Sequence, residues 1–221
     1  TQGWIPLDDD VVADAPVQPP TQKAIFAYGT TGSATAVSNL VNSSGVVATD
    51  TTGVGTARWG LEAAGYGTDK AIFAYGNTGS AVSLSNLVNS SGVIASDVTG
   101  VGTVRYRLKA ATYGLDKAIF GFGYNGSTRL SMTNLVSSSG VVSSDVSGVG
   151  TARESLGAAE YGTDKAIFGY GYASGAVSMT NLVSNVGVVS SDVSGVGTAR
   201  WDTSAASYGD KAIFGFGWNG S

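Results

Sequence analysis

Lys23-Ala-Ile-Phe-Ala-Tyr-Gly29 is written five times in this chain, returning with small changes at residues 70–76, 117–123, 165–171 and 211–217. Its lysines stand 47, 47, 48 and 46 residues apart. Self-similarity at about 40–50 residues marks a repeat architecture and outranks any local reading of secondary structure. In the second copy the stretch alternates, which predicts Ala71, Phe73 and Tyr75 on one strand face and Ile72 and Ala74 on the other.

Working outward from that copy, a turn follows at residues 77–80, then a strand centred on Asn86-Leu-Val. Residues 90–92 form a second turn, residues 93–97 a third strand, and Gly100-Val-Gly102 a third turn. The unit closes with a segment led by Arg105 and ending at Tyr113-Gly114. Four short strands per unit, joined by Gly, Ser and Asn turns, predict an all-β fold of four-stranded β-propeller blades. A β-solenoid is the competing architecture, but its coils close in about 20–30 residues with fewer reversals.

Asp recurs as Asp50, Asp97, Asp145 and Asp192, and Arg eight residues later as Arg58, Arg105, Arg153 and Arg200. Groups repeated at one offset in every unit are expected to hold the blade together, as ion pairs with the Asp also accepting backbone N–H bonds.

Counting strands from residue 23 yields five of the Lys-Ala-Ile-Phe type and four of each other type. A four-bladed ring then has one strand over, and a five-bladed ring lacks three. The leader is expected to fill the missing places. The other solutions are pairing of the surplus strand with a second copy, or a chain that is part of a longer array.

Residues 1–22 differ in kind from the repeats at 23–221. They hold all four prolines and carry Asp8, Asp9, Asp10 and Asp14 with no Lys or Arg. This leader reads as a solvated tether, or as an arm docking on a neighbouring subunit through Trp4, Ile5 and Leu7. The remaining 199 residues hold 12 basic and 12 acidic side chains, so no basic footprint for nucleic acid or an anionic membrane is present. No apolar run approaches the roughly 18 residues of a membrane-spanning helix. Cys and His are both absent, which excludes disulfides, thiolate or imidazole metal sites and the Ser-His-Asp triad.

The order of strands resembles a kelch repeat: an Arg-led strand (Ala152-Arg153 to Gly162), then Lys165-Ala-Ile-Phe-Gly-Tyr-Gly171, then residues 177–183 and 187–192. The near-identical Ser/Gly/Thr-rich units are similar to the kelch-like repeats of bacteriophage virion proteins, including tail and appendage proteins. The resemblance implies a propeller of four to five blades, about 47 residues each, working as a structural part of a particle. Residues 143–151 also resemble the Asp box of sialidase propellers, a turn-stabilising element.

Residues that break the repeat carry the functional signal. After the Lys-led strand the chain reads Thr30, Asn77, Tyr124, Tyr172 and Trp218; after the Arg it reads Trp59, Tyr106, Glu154 and Trp201. Large aromatics at turns suit the faces of sugars or a protein partner, or else pack between blades. The candidate ligand-binding rim is therefore Trp59, Tyr106, Tyr124, Tyr172, Trp201 and Trp218. Candidate assembly residues are Trp4, Ile5, Leu7, Ile213, Phe214 and Phe216. Outside the leader only Glu62, Glu154, Glu160 and Asp202 depart from the repeat among the carboxylates, and they mark no catalytic pair.

The expectation is a non-enzymatic structural or adhesive propeller of an extracellular particle, a phage virion first, without cofactor or metal. Its expected partners are other particle subunits met through the leader, further copies of the chain, and cell-surface glycans. A secreted multivalent lectin is the alternative.

Overall fold

In the computed structural model residues 24–220 are described, and they form 13 β-strands with no helix among them. The strands make five small antiparallel sheets in chain order. The first is β1 (Ala24–Thr30) with β2 (Ala34–Val41); the second is β3 (Glu62–Tyr66), β4 (Lys70–Asn77) and β5 (Ala81–Val88). The third is β6 (Lys109–Tyr113), β7 (Lys117–Gly121) and β8 (Thr133–Val136); the fourth is β9 (Gly157–Tyr161), β10 (Lys165–Tyr172) and β11 (Ala176–Val183). The last pairs β12 (Ser204–Tyr208) with β13 (Lys211–Gly215). The Lys-led strand is central in each three-stranded sheet.

The expected fourth strand is only a pair of bridges. In the second sheet Val88 meets Ile94 and Ser85 meets Val98, and the third and fourth sheets repeat the pattern. Small polar residues bury little on that outer edge, where Val93 and Val141 stay exposed.

Successive sheets stack through their first strands: β3 beside β6, β6 beside β9, β9 beside β12. Alanines make that approach possible, and Ala63, Ala111, Ala158 and Ala205 line one shallow groove. Thr112 Oγ1 donates to Gly65 O and Ser207 Oγ to Glu160 O, tying first strands of neighbouring sheets.

The alternation expected of the Lys-led strand fails at its end. Register shifts between Ala74 and Gly76, and Tyr75 takes φ +66°. Tyr28, Phe122, Tyr170 and Phe216 adopt the same left-handed backbone. This β-bulge turns Tyr75 to the face opposite Phe73. Phe73 then meets Tyr28 of the sheet before (ring centroids 5.4 Å apart), while Tyr75 meets Phe120 of the sheet after (5.6 Å). Phe122 with Phe168 (5.2 Å) and Tyr170 with Phe214 (5.4 Å) continue the series. A left-handed aromatic costs on the order of 1–3 kcal/mol, offset here by what it touches. Tyr75 Oη donates to Val101 O, and Arg105 lies 4.1 Å over its ring. The bulge also aims the next N–H outward, so that Gly76 N donates to Arg105 O across the sheet boundary.

Three of the repeated arginines, Arg58, Arg105 and Arg153, are fully buried, and each serves its own sheet. Arg58 donates to Tyr75 O (2.8 Å), Thr56 O (3.1 Å) and Asn86 Oδ1 (2.6 Å). Its carboxylate is Asp97 at 3.8 Å, not Asp50 eight residues before it, because the chain between Asp50 and Arg58 leaves one sheet and enters the next. Arg105 with Asp145 and Arg153 with Asp192 repeat this. Asp97 accepts from Thr56 N, Thr56 Oγ1 and Asn86 Nδ2. The Gly-Val-Gly turn fits around these groups: a Cβ on Gly55 would strike Asp97 and Asn86, and one on Gly100 would strike Ser83.

Burial alone raises the pKa of Asp97, Asp145 and Asp192, but the Thr and Asn hydrogen bonds together with the Arg charge outweigh it and hold all three below the usual carboxylate value. A carboxyl depressed in the fold contributes stability that is complete above its unfolded pKa of about 3.9 and is lost as pH falls through the folded value. The chain should therefore keep its stability down to about pH 4 and lose it in more acid solution. Asp145→Asn should weaken the fold at pH 7 and flatten that acid limb in urea titrations at stepped pH. An unchanged limb would contradict the network.

Candidate functional site

At one end of the stacked sheets each repeat presents a bridged pair of residues. One member follows the repeated Arg and the other follows the Lys-led strand. The pairs are Trp59 with Asn77, Tyr106 with Tyr124, Glu154 with Tyr172, and Trp201 with Trp218. The bridge fixes both backbones, so the side chains stand next to one another at a rim.

Five of the six rim aromatics are half-buried and Trp218 is exposed; they form two ladders. Trp59 meets Tyr106 edge-on at 5.2 Å, and Tyr106 meets Tyr124 at 5.7 Å. Tyr172 meets Trp201 at 5.6 Å, and Trp201 meets Trp218 at 5.2 Å. Packing between repeats and exposure at a rim, posed as alternatives from the sequence, are both present. Each ring is edge-packed on a neighbour and still shows a face or edge to solvent.

Between the ladders lies a charged cluster. Glu154 is buried, with Oε1 3.1 Å from Arg129 Nη2 and Oε2 3.4 Å from Arg107 Nη1. Arg129 bridges the ladders, its guanidinium 4.6 Å from the Tyr172 ring and 5.9 Å from that of Tyr124. Arg107 lies 6.0 Å from Trp59 and 5.8 Å from Tyr106. Two guanidiniums against one carboxylate leave a formal charge of +1. The Nε of Arg129 is buried without an acceptor.

This cluster and the second ladder enclose a cleft of about 520 Å³ lined by Arg107, Arg129, Glu154, Tyr172, Trp201 and Trp218. Trp59, Tyr106 and Tyr124 stand outside it, so the six expected aromatics do not make one equivalent site per repeat. No second carboxylate lines the cleft among the described residues. Of the other carboxylates that depart from the repeat, Glu62 pairs with Lys109 at 2.6 Å. Glu160 belongs to the alanine groove, where burial first and Asp164 second push its carboxyl up.

The candidate assembly residues fall into two groups. Trp4, Ile5 and Leu7 lie outside the described residues. On β13, Phe214 packs against Tyr170, whereas Ile213 is 56% exposed and Phe216, just beyond the strand, 90%.

Sequence reasoning singled out Glu154 but passed over Arg107 and Arg129. The signal was present. Arg129 stands where the other repeats have Ala34, Ala81 and Ala176, and Arg107 where they have Gly60, Ser155 and Asp202. The chain matches no protein-family model, and no curated protein is similar to it.

Proposed function

We propose that this chain is a non-enzymatic adhesive protein that uses the rim cleft to hold a saccharide, displayed on an extracellular particle. The observation that carries the reading is the gathering of Tyr172, Trp201 and Trp218 with two arginines around a single cleft. Indole and phenol rings bury the apolar faces of sugars, while guanidinium and carboxylate groups bond the hydroxyls. Among the described residues Glu154 is the one carboxylate lining the cleft, and glycoside hydrolysis ordinarily takes a pair of carboxylates.

The five sheets are then blades of a kelch-like β-propeller, with the alanine-lined first strands innermost. The phage-virion setting rests on the likeness of the repeats alone. Assembly with other subunits falls to the leader and to the exposed Ile213 and Phe216.

On a glycan array the full chain should bind a restricted set of saccharides. Trp201→Ala and Trp218→Ala should each weaken that binding by about tenfold, on the order of 1.4 kcal/mol. Trp59→Ala, outside the cleft, should leave it unchanged. An array with no bound glycan would overturn the adhesive reading.

A further inference from the structure

We propose that the rim cleft selects an acidic saccharide, with a carboxylate of the ligand received by Arg129 and Arg107 and a sugar ring against Trp201 and Trp218. This rests on the saccharide-binding reading above and adds the class of sugar.

The repeat itself supplies the control. Arg107 precedes β6, Arg129 lies between β7 and β8, and Glu154 precedes β9, yet they meet at one place. Ala34, Ala81 and Ala176 show that the fold does not need an arginine at the place of Arg129. Trp59, Tyr106 and Trp201 show the same for the carboxylate of Glu154. Arg107 stands at φ +53°, and its counterparts Gly60, Ser155 and Asp202 share that left-handed backbone at φ +63°, +54° and +52°, so the conformation belongs to the repeat and only the arginine side chain is particular to this place.

Charge decides the sign of the ligand. Glu154 neutralises one guanidinium and holds both at fixed distances, so the cluster keeps a net positive charge facing the aromatic wall. A planar guanidinium bonds a carboxylate through paired N–H groups, which a neutral hydroxyl cannot match. Burial of Glu154 between the arginines also means that it is not displaced by solvent when the ligand enters.

The test is titration calorimetry of the full chain with sialyllactose, a galacturonic acid trisaccharide and lactose at low salt. At least one of the two carboxylated probes should bind ten or more times tighter than lactose, and which of them does so identifies the source of the acid. That preference should shrink as salt is raised. Arg129→Ala, which restores the residue of the other repeats, should abolish the preference by weakening the acidic probes at least tenfold more than it weakens lactose. Equal binding of lactose and the acidic probes, or a preference that survives Arg129→Ala, overturns the acidic selection and leaves saccharide binding standing. No binding of any probe, together with an empty glycan array, overturns both.

Discussion

Replacing Arg153 by Met should cost about 3–5 kcal/mol of folding stability, the range for removing one partner from a buried ionic network. Arg153 is fully buried, and its guanidinium donates to Tyr170 O (2.8 Å), Thr151 O (3.1 Å) and Asn181 Oδ1 (2.7 Å). It also lies 4.1 Å over the ring of Phe122, which holds a left-handed backbone at φ +64°. Burial pushes its pKa down to about 10, against the opposing charge of Asp192 4.0 Å away, so it stays protonated at neutral pH. Met has a similar length and no donor. Its introduction strands two carbonyls, the Asn181 amide oxygen and the Asp192 charge, and removes the cation from the Phe122 face. Arg153→Lys keeps the charge but not the fork of donors and should fall between the two. Urea unfolding at pH 7 reads the loss as a lower midpoint. A cost under about 1 kcal/mol would mean that water replaces the guanidinium, and the network would then not be what holds the fourth sheet together.

Much of the fold is legible in the sequence because the chain aligns with itself. The Lys-led and Asn-Leu-Val strands fall where the repeat puts them, and β4 pairs β5 with Phe73 opposite Asn86. Two features were not legible, for physical reasons. Lys-Ala-Ile-Phe-Ala-Tyr reads as six alternating residues, and nothing in side-chain polarity reports that the sixth turns left-handed; only the glycine after it hints at a bulge. The outer Val-containing segment carries a strand's composition but has only one neighbour to pair with, so it ends as two bridges. The site was half legible. Searching for large aromatics finds the ladders, because aromatics are conspicuous at turns. Finding Arg107 and Arg129 requires subtracting each repeat from the others, since an arginine on a rim is ordinary until Ala34, Ala81 and Ala176 stand at the same place.

The same self-comparison sets up the second large effect, Phe168→Ala against Phe26→Ala. Both phenylalanines are the fourth residue of the Lys-led strand, so propensity and neighbours along the chain are nearly identical. Their surroundings are not. Phe168 is fully buried, edge-on to Phe122 at 5.2 Å and lying where a Cβ on Gly121 would meet it. Phe26 is 64% exposed. Emptying the Phe168 site removes a ring from the core between the third and fourth sheets and leaves a cavity that the close-set strands cannot collapse, a loss of about 3–5 kcal/mol. At Phe26 the same truncation should stay within about 0.5 kcal/mol, as for exposed positions. Because stacked repeats contact only their neighbours, the damage at Phe168 should appear first as faster amide exchange in β6–β8 and β9–β11, with β1 and β2 keeping their rates. Equal costs at the two sites would mean that Phe26 is covered in solution, by residues 1–23 or by a second copy of the chain. A protein-concentration series then separates those two, since only the second copy makes the cost of Phe26→Ala shrink with dilution.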